Sequence, residues 1–214
     1  MTYDDYDLKK YVKTRLLAKA KNAVVTINGD FFKYTNFGYL VRQGTLYRNR
    51  PDGEHDVLLI DDHGDFHSLP LATPETLHAA ITELEAQGRR IINSFNFGPT
   101  LVLDGEIPDF NQSMYQGKYK MMRIGIGQVG PLEYVIYFCE GSTTKPIGLT
   151  MENFAAFIRE HTPDVKVAYN LDGGGSAHVV LLQRQLHSNA AGRDVCDVLY
   201  FASASNLLGE ERAE

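Results

Sequence analysis

Short apolar runs separated by turn residues dominate the hydrophobic pattern of this chain. Runs of four to eight apolar or β-branched residues that are bounded by glycine, proline, asparagine or aspartate are typical of β-strands. The pattern predicts strands at 23–27, 38–42, 45–48, 57–60, 91–93, 100–103, 121–126, 133–138, 165–169, 178–182 and 195–202. A sheet-rich structure is therefore expected.

Three segments instead show the spacing of an amphipathic helix. The first covers 7–21, where apolar residues recur every three or four positions. The second begins at Thr73, a capping residue followed directly by proline and glutamate, and Gly88 is the expected C-terminal cap. The third begins at the capping residue Thr150 and ends before Pro163.

Many strands and about three helices predict an α+β fold, in which the helices pack on a mixed, largely antiparallel sheet. The 214 residues are enough for one domain with a sizeable core. We expect residues 1–22 to form an N-terminal helix of the same domain, residues 23–208 to form its body, and the acidic residues 209–214 to form a frayed tail.

Charge and hydropathy exclude several classes of protein. The net charge of −6 and the isoelectric point near 5.6 argue against a nucleic-acid partner, because such proteins carry a basic face. No apolar run reaches the ~20 residues of a membrane span, and the polar start has no signal-peptide pattern. The two cysteines, Cys139 and Cys196, are either buried thiols or a disulfide between neighbouring strands.

The segment Asn170-Leu171-Asp172-Gly173-Gly174-Gly175-Ser176 is the most informative part of the sequence. It follows the predicted strand 165–169, and three consecutive glycines are costly in backbone entropy. Such a loop allows main-chain N–H groups to converge on an anion. An acid beside an anion site is a plausible catalytic pair, although a tight strand exit would also explain the glycines.

Polar side chains recur where other predicted strands begin or end. Each of them alone is explained by turn capping or solvation, but together they predict a site on loops that a rigid sheet positions. The candidates are Asn28, Asp30, Arg48, Asn96, Thr100, Arg123, Glu140, Asn170, Asp172 and Arg193.

Six short stretches of the sequence, which contain most of these residues, resemble motifs of the phosphodiester glycosidase family in the order in which they occur. They are 27–32 (INGDFF), 94–102 (SFNFGPTLV), 123–127 (RIGIG), 148–150 (GLT), 170–176 (NLDGGGS) and 193–195 (RDV), and the resemblance runs from about residue 23 to residue 201. It implies cleavage of a sugar that is joined through its anomeric carbon to a phosphodiester, as in N-acetylglucosamine-1-phosphodiesters. Bacterial members are often labelled exopolysaccharide biosynthesis proteins, which favours a cell-envelope glycan substrate and an extracytoplasmic location.

Under this resemblance, Asp172 is the expected catalytic carboxylate, assisted by Asp30 or Glu140. The expected phosphate and substrate contacts come from Asn28, Arg48, Asn96, Thr100, Arg123, Asn170, Gly173, Gly174, Gly175, Ser176 and Arg193. The chain departs from the family at 140–142, where Glu-Gly-Ser replaces the common Asp-Gly-Arg, and at Ile124, which replaces a threonine. The family also normally has strands before the region of residue 7, so we expect this sequence to be either a trimmed chain or a shortened member.

Three alternatives accompany this interpretation. Asp30, Glu140 and Asp172 could hold a hard cation such as calcium, but no EF-hand spacing occurs, and we expect no cofactor. A non-catalytic glycan-binding module could stack aromatic rings on sugars, although most of these rings fit a core role equally well; the candidates are Phe31, Phe32, Tyr34, Tyr39, Tyr47, Phe97 and Tyr115. A P-loop nucleotide site does not fit, because no lysine follows the glycines.

Overall fold

A computed structural model of the chain describes residues 10–109, 117–142, 144–186 and 192–205. Within these ranges the fold is α+β, with three helices and 13 strands in three antiparallel sheets, which confirms the predicted class. The helices are α1 (Thr14–Ala20), α2 (Pro74–Ala86) and α3 (Met151–His161). The strands are β1 (Ala23–Asn28), β2 (Gly38–Arg42), β3 (Thr45–Arg50), β4 (Val57–Asp61), β5 (Phe66–Leu69), β6 (Ile91–Phe95), β7 (Thr100–Leu103), β8 (Arg123–Gly130), β9 (Glu133–Cys139), β10 (Val167–Asn170), β11 (Val179–Leu181), β12 (Arg184–Gln185) and β13 (Val198–Ala202).

The three sheets pack around one shared core. The first has the strand order β12-β11-β1-β13, the second β7-β10-β8-β9 and the third β3-β2-β6-β4-β5. Each contributes side chains to the same buried cluster: Ile27 from the first, Ile124 and Tyr169 from the second, and Phe95 from the third. Because the ends of β1, β6 and β10 meet at this core, the polar residues that follow them come close together.

Two helices cover the outer faces of the sheets. Leu77 and Leu84 of α2 pack on the third sheet, and Phe154 and Ile158 of α3 pack on the second. Both helices begin where their capping threonines predict. The Thr73 hydroxyl accepts the N–H of residue 76 at 3.2 Å, and the Thr150 hydroxyl accepts that of residue 153, also at 3.2 Å.

The first helix is shorter than its pattern predicts. It begins at Thr14, because the backbone of Val12 is extended and exchanges two 3.0 Å hydrogen bonds with Val195. A tertiary contact therefore overrides the local helical periodicity at 10–13. Residues 7–9 of the predicted helix and the predicted tail 209–214 lie outside the described residues.

The two cysteines are free thiols. Cys139 ends β9 of the second sheet and is half-buried, whereas Cys196 is buried beside the first sheet. The alternative of a disulfide is therefore wrong, and the cysteines act as small apolar residues. None of the described helices is both long and apolar enough to cross a membrane.

Candidate active site

The glycine loop leaves the second sheet from its central strand β10 and passes against the chain just before β8. The N–H of Gly174 donates to the carbonyl of Met122 at 3.0 Å. A Cβ at Gly173 would lie 2.8 Å from the same carbonyl oxygen, so only glycine allows this close approach. The contact brings Asp172 into the neighbourhood of Arg123, the first residue of β8.

Three segments that are distant in sequence line one cavity of about 800 Å³. Its wall includes Asp172, the glycine loop 173–175, Arg123 and Arg193. The structure therefore brings together the acid, the glycines and two of the arginines that the sequence pattern singles out. The volume is in the range of about 300–1,000 Å³ that is usual for small-molecule sites.

Arg123 is a fixed cation in the wall of this cavity. Its side chain is only 2% exposed. Its Nε donates to the carbonyl of Leu149 at 3.1 Å and one terminal nitrogen donates to that of Tyr119 at 2.9 Å. Burial lowers its pKa to about 10, so the guanidinium stays charged at neutral pH.

Asp172 combines burial with two favourable partners. Burial raises the pKa of its carboxyl group to about 6, while a hydrogen bond from Ser176 and the charge of Arg193 oppose that rise. Its backbone is held by Asn28, whose Nδ2 donates to the Asp172 carbonyl at 2.6 Å. The carboxylate is therefore ionised at neutral pH and is close to its titration point.

Asp30 lies behind Asp172 rather than in the main cavity. A recess of about 10 Å³ next to the cavity is lined by Asp30, Asp172, Ser176 and Arg193, among others. The Asp30 carboxylate accepts hydrogen bonds from the N–H groups of Phe31 (2.8 Å) and Asn96 (2.6 Å). Burial raises its pKa, and the charge of Arg42 acts in the opposite direction.

A buried ion pair that the sequence analysis missed lies beneath Asp30. Asp197, which is fully buried, pairs with Arg42 at 2.5 Å and accepts the N–H of Asp30 at 3.2 Å. Burial raises the pKa of Asp197, but the charge of Arg42 and the hydrogen bond from it are among the contributions that together lower that pKa to about 2. The available signal was a charged residue at the end of the apolar strand β2.

Four of the predicted contact residues support the fold around the site. Arg48 donates to the carbonyls of residues 32 and 37, both at 2.8 Å, and so fixes the segment after Asp30. Thr100 pairs with Ser68 at 2.7 Å, and Asn170 donates to the carbonyl of residue 98 at 2.7 Å. Asn96 donates to Asp30 through its backbone and its side chain.

Glu140 lies apart from these groups. It follows the end of β9 and is solvent-exposed. Across the described ranges, no group of three or more histidine, cysteine or acidic side chains has the arrangement of a metal site. Asp30 and Asp172 line the same recess, whereas Glu140 lines neither that recess nor the main cavity.

The glycine loop offers fewer N–H donors than the sequence suggests. Gly174 donates to Met122 and Ser176 donates to the carbonyl of Gly173 at 3.1 Å. Among the described residues of the loop, this leaves the N–H groups of Gly173 and Gly175 as candidate anion donors. The expected concave anion site thus has two candidate N–H donors from this loop instead of four.

Aromatic and basic side chains complete the cavity. Phe31 and Phe97 meet edge to face with ring centroids 4.8 Å apart, and Tyr34 and Tyr119 line the cavity with 66% and 68% of their surface exposed. Tyr115, another aromatic candidate of the sequence, lies outside the described residues. Two lysines of the lining, Lys120 and Lys145, carried no signal in the sequence. They follow no motif and lie in irregular segments.

Comparison with known proteins supports one family. A model of the phosphodiester glycosidase family matches residues 21–202, whereas no curated protein matches the chain. The catalytic domain of zebrafish N-acetylglucosamine-1-phosphodiester α-N-acetylglucosaminidase, auto-inhibited by its pro-peptide, is a similar solved structure, with a TM-score of 0.71 and 19% identity over 91% of this chain and 68% of that one.

Two further solved structures share the fold. A hypothetical protein from Synechocystis has a TM-score of 0.60 and 13% identity, covering 88% of this chain and 53% of that one. A protein described as exported, from Burkholderia pseudomallei, has a TM-score of 0.56 and 15% identity, covering 90% and 68%. At these identities the likeness extends to the fold alone.

Proposed function

The chain belongs to the phosphodiester glycosidase family, and on that premise we propose that it is a hydrolase of sugar-1-phosphodiesters. The substrate class is an N-acetylglucosamine-1-phosphodiester or a related phosphoglycan of the cell envelope. One observation carries the proposal: Asp172, Arg123 and Arg193 line one cavity although they are far apart in sequence. A carboxylate beside cationic side chains is the combination that this reaction needs.

Asp172 is the proposed catalytic carboxylate. With a pKa of about 6 it is ionised at pH 7, so it can either attack the anomeric carbon or take a proton from the attacking water. The hydrogen bond from Ser176 and the backbone contact to Asn28 hold the group in place. A fixed carboxylate reduces the reorganisation that the transition state requires.

The leaving group needs charge stabilisation more than a proton. Cleavage of the anomeric C–O bond releases a phosphate monoester, whose second pKa is about 6, so it departs without strong acid assistance. Arg123 and Arg193 supply charged donors, and the N–H groups of Gly173 and Gly175 supply neutral ones. Because Arg123 is buried and hydrogen-bonded to carbonyls, its position is set before substrate binds.

Of the two carboxyl groups expected to assist Asp172, Asp30 is a better candidate than Glu140. It shares the recess with Asp172, and its charge contributes to the raised pKa of Asp172. Glu140 is exposed after β9. We therefore assign Asp30 an electrostatic and positioning role, in which it keeps the pKa of Asp172 close to neutral pH.

A panel of synthetic sugar-1-phosphodiesters in ¹⁸O-labelled water tests this function. We expect release of free sugar, with the label on the sugar, and activity that survives a chelator. Label on the phosphate would refute attack at the anomeric carbon. Tight binding without turnover would instead favour the non-catalytic glycan-binding module, for which the exposed rings of Tyr34 and Tyr119 provide stacking surfaces.

We also propose that the protein acts outside the cytoplasm, on envelope glycan. The supporting observations are the family and the likeness to a protein described as exported. Fractionation of cells that produce the full-length natural protein tests this location. Recovery of the protein in the cytoplasmic fraction alone would contradict it.

A further inference from the structure

The cavity carries more positive charge than one phosphodiester can neutralise. Its lining includes the basic residues Lys120, Arg123, Lys145 and Arg193, and among the described residues of the lining Asp172 is the acid that opposes them. The chain as a whole has six more acidic than basic residues, 27 against 21. The basic lining is therefore a local feature and does not follow from composition.

The four cations differ in exposure. Arg123 is 2% exposed and is held by backbone carbonyls, whereas Lys120, Lys145 and Arg193 are solvent-exposed at the wall of the same cavity. Within the part of the chain that the structure describes, neither lysine forms an ion pair with an acidic side chain. Their charges are available to a ligand that extends from the floor of the cavity to its mouth.

Two neighbouring segments present the lysines from one wall. Lys120 directly precedes Met121, which exchanges backbone hydrogen bonds of 3.3 and 3.1 Å with Leu149. The loop that carries Lys145 closes beside this pair through a 3.1 Å bond from the N–H of Ser142 to the carbonyl of Ile147. Backbone pairing therefore fixes both segments relative to the cavity.

The loop around Lys145 is also organised by a side chain. The hydroxyl of Ser142 accepts the N–H groups of Thr144 at 3.1 Å and Lys145 at 3.0 Å. This arrangement fixes the turn, and Ser142, Thr144 and Lys145 all line the cavity. The backbone of Lys145 is thus held in place by the Ser142 side chain.

We propose that Lys120 and Lys145 form a second anion subsite, which binds a phosphate on the aglycone beyond the scissile phosphodiester. The inference rests on the proposed function, because Arg123, Arg193 and the glycine loop then hold the scissile group. The scissile diester has a single negative charge, which leaves the charges of the two lysines without a partner. Ammonium groups bind phosphate as point charges, so the two lysines can hold a further phosphate. The preferred substrate is therefore a glycan with successive phosphate groups rather than an isolated sugar-1-phosphodiester.

Binding of non-hydrolysable analogues tests the subsite independently of turnover. The two ligands are C-glycosyl phosphonates that are identical except for a second phosphate on the aglycone sugar, and calorimetry gives their dissociation constants for the wild-type protein. We expect the analogue with the second phosphate to bind at least about fivefold more tightly. Lys120→Met and Lys145→Met should each reduce that preference by about twofold to fivefold, and raised salt should weaken it.

Lys166→Met is the matched control. Lys166 is exposed and lies before β10, at the end opposite to Asn170, so the same loss of charge should leave the preference unchanged. Equal binding of the two analogues by the wild type, or a preference that the two cavity variants retain, would overturn the subsite. If the preference is present but no sugar-1-phosphodiester is hydrolysed, the subsite stands and the proposed hydrolase activity fails.

Discussion

Replacing Asp172 by asparagine should make the protein more stable at neutral pH. Burial raises the pKa of this carboxyl group from 3.8 to about 6. Between these two values the folded state binds a proton that the unfolded state has lost, so the free energy of unfolding falls as pH rises. This decrease in the free energy of unfolding is nearly complete above about pH 6, and it is absent below about pH 4.

The magnitude follows from the difference between the two pKa values. A difference of about two pKa units corresponds to about 3 kcal/mol at 1.36 kcal/mol per unit. Asparagine has nearly the same shape and can still accept the hydrogen bond from Ser176, but it carries no charge. The stability gain of Asp172→Asn should therefore grow from near zero at pH 4 to about 3 kcal/mol at pH 7.

Urea denaturation at several pH values measures this difference. Far-ultraviolet circular dichroism is the suitable signal, because the chain contains no tryptophan. Other titrating groups cancel to first order when the variant is compared with the wild type at the same pH. A stability difference that does not change between pH 4 and pH 7 would refute the raised pKa of Asp172, and with it the electrostatic description of the site.

Three further substitutions test the surroundings of the site by urea denaturation. Asp197→Asn should lower the free energy of unfolding by about 3–5 kcal/mol, because it leaves the buried Arg42 without its charge partner. Asp62→Asn, which removes a charge from the exposed pair with Arg90, should change stability little, and equal effects of the two variants would contradict the importance of the buried pair. Arg48→Met should lower stability and leave the rate constant of the folded fraction unchanged, and a selective loss of substrate affinity would show that it contacts substrate. Gly148→Ala should be much more harmful than Gly88→Ala, because both glycines have positive φ but an added Cβ would clash with the Met121 carbonyl oxygen only at Gly148. Similar costs would refute the close approach.

Local sequence signals predict the elements that depend on local interactions. The capped starts of α2 and α3 and the glycine loop after β10 follow from the residues at those positions. Residues 10–13 have a helical pattern, yet Val12 pairs with Val195, a partner far away in the chain. Pairing between distant segments leaves no mark in local periodicity, which is why the first helix is predicted too long.

In the candidate site, too, features that depend on local sequence could be predicted, whereas contacts between distant segments could not. The motif residues Asp172, Arg123 and Arg193 could be named from the sequence, because their neighbours form recognisable patterns. The ion pair of Arg42 with Asp197 could not, since it joins two strand ends through a contact that only the folded chain creates. A strand-end position also does not distinguish a residue that lines the cavity from one that supports its wall.

The most direct test of the central claim is the turnover of a synthetic N-acetylglucosamine-1-phosphodiester by the wild type and by Asp172→Asn. If Asp172 is the catalytic carboxylate, the variant should stay folded and bind substrate, while its kcat falls by at least about 10²-fold to 10⁴-fold. This loss of kcat, together with the stability gain at pH 7, would show that the ionised carboxylate of Asp172 lowers the stability of the fold but is needed for turnover. A variant that retains the wild-type kcat would contradict the account.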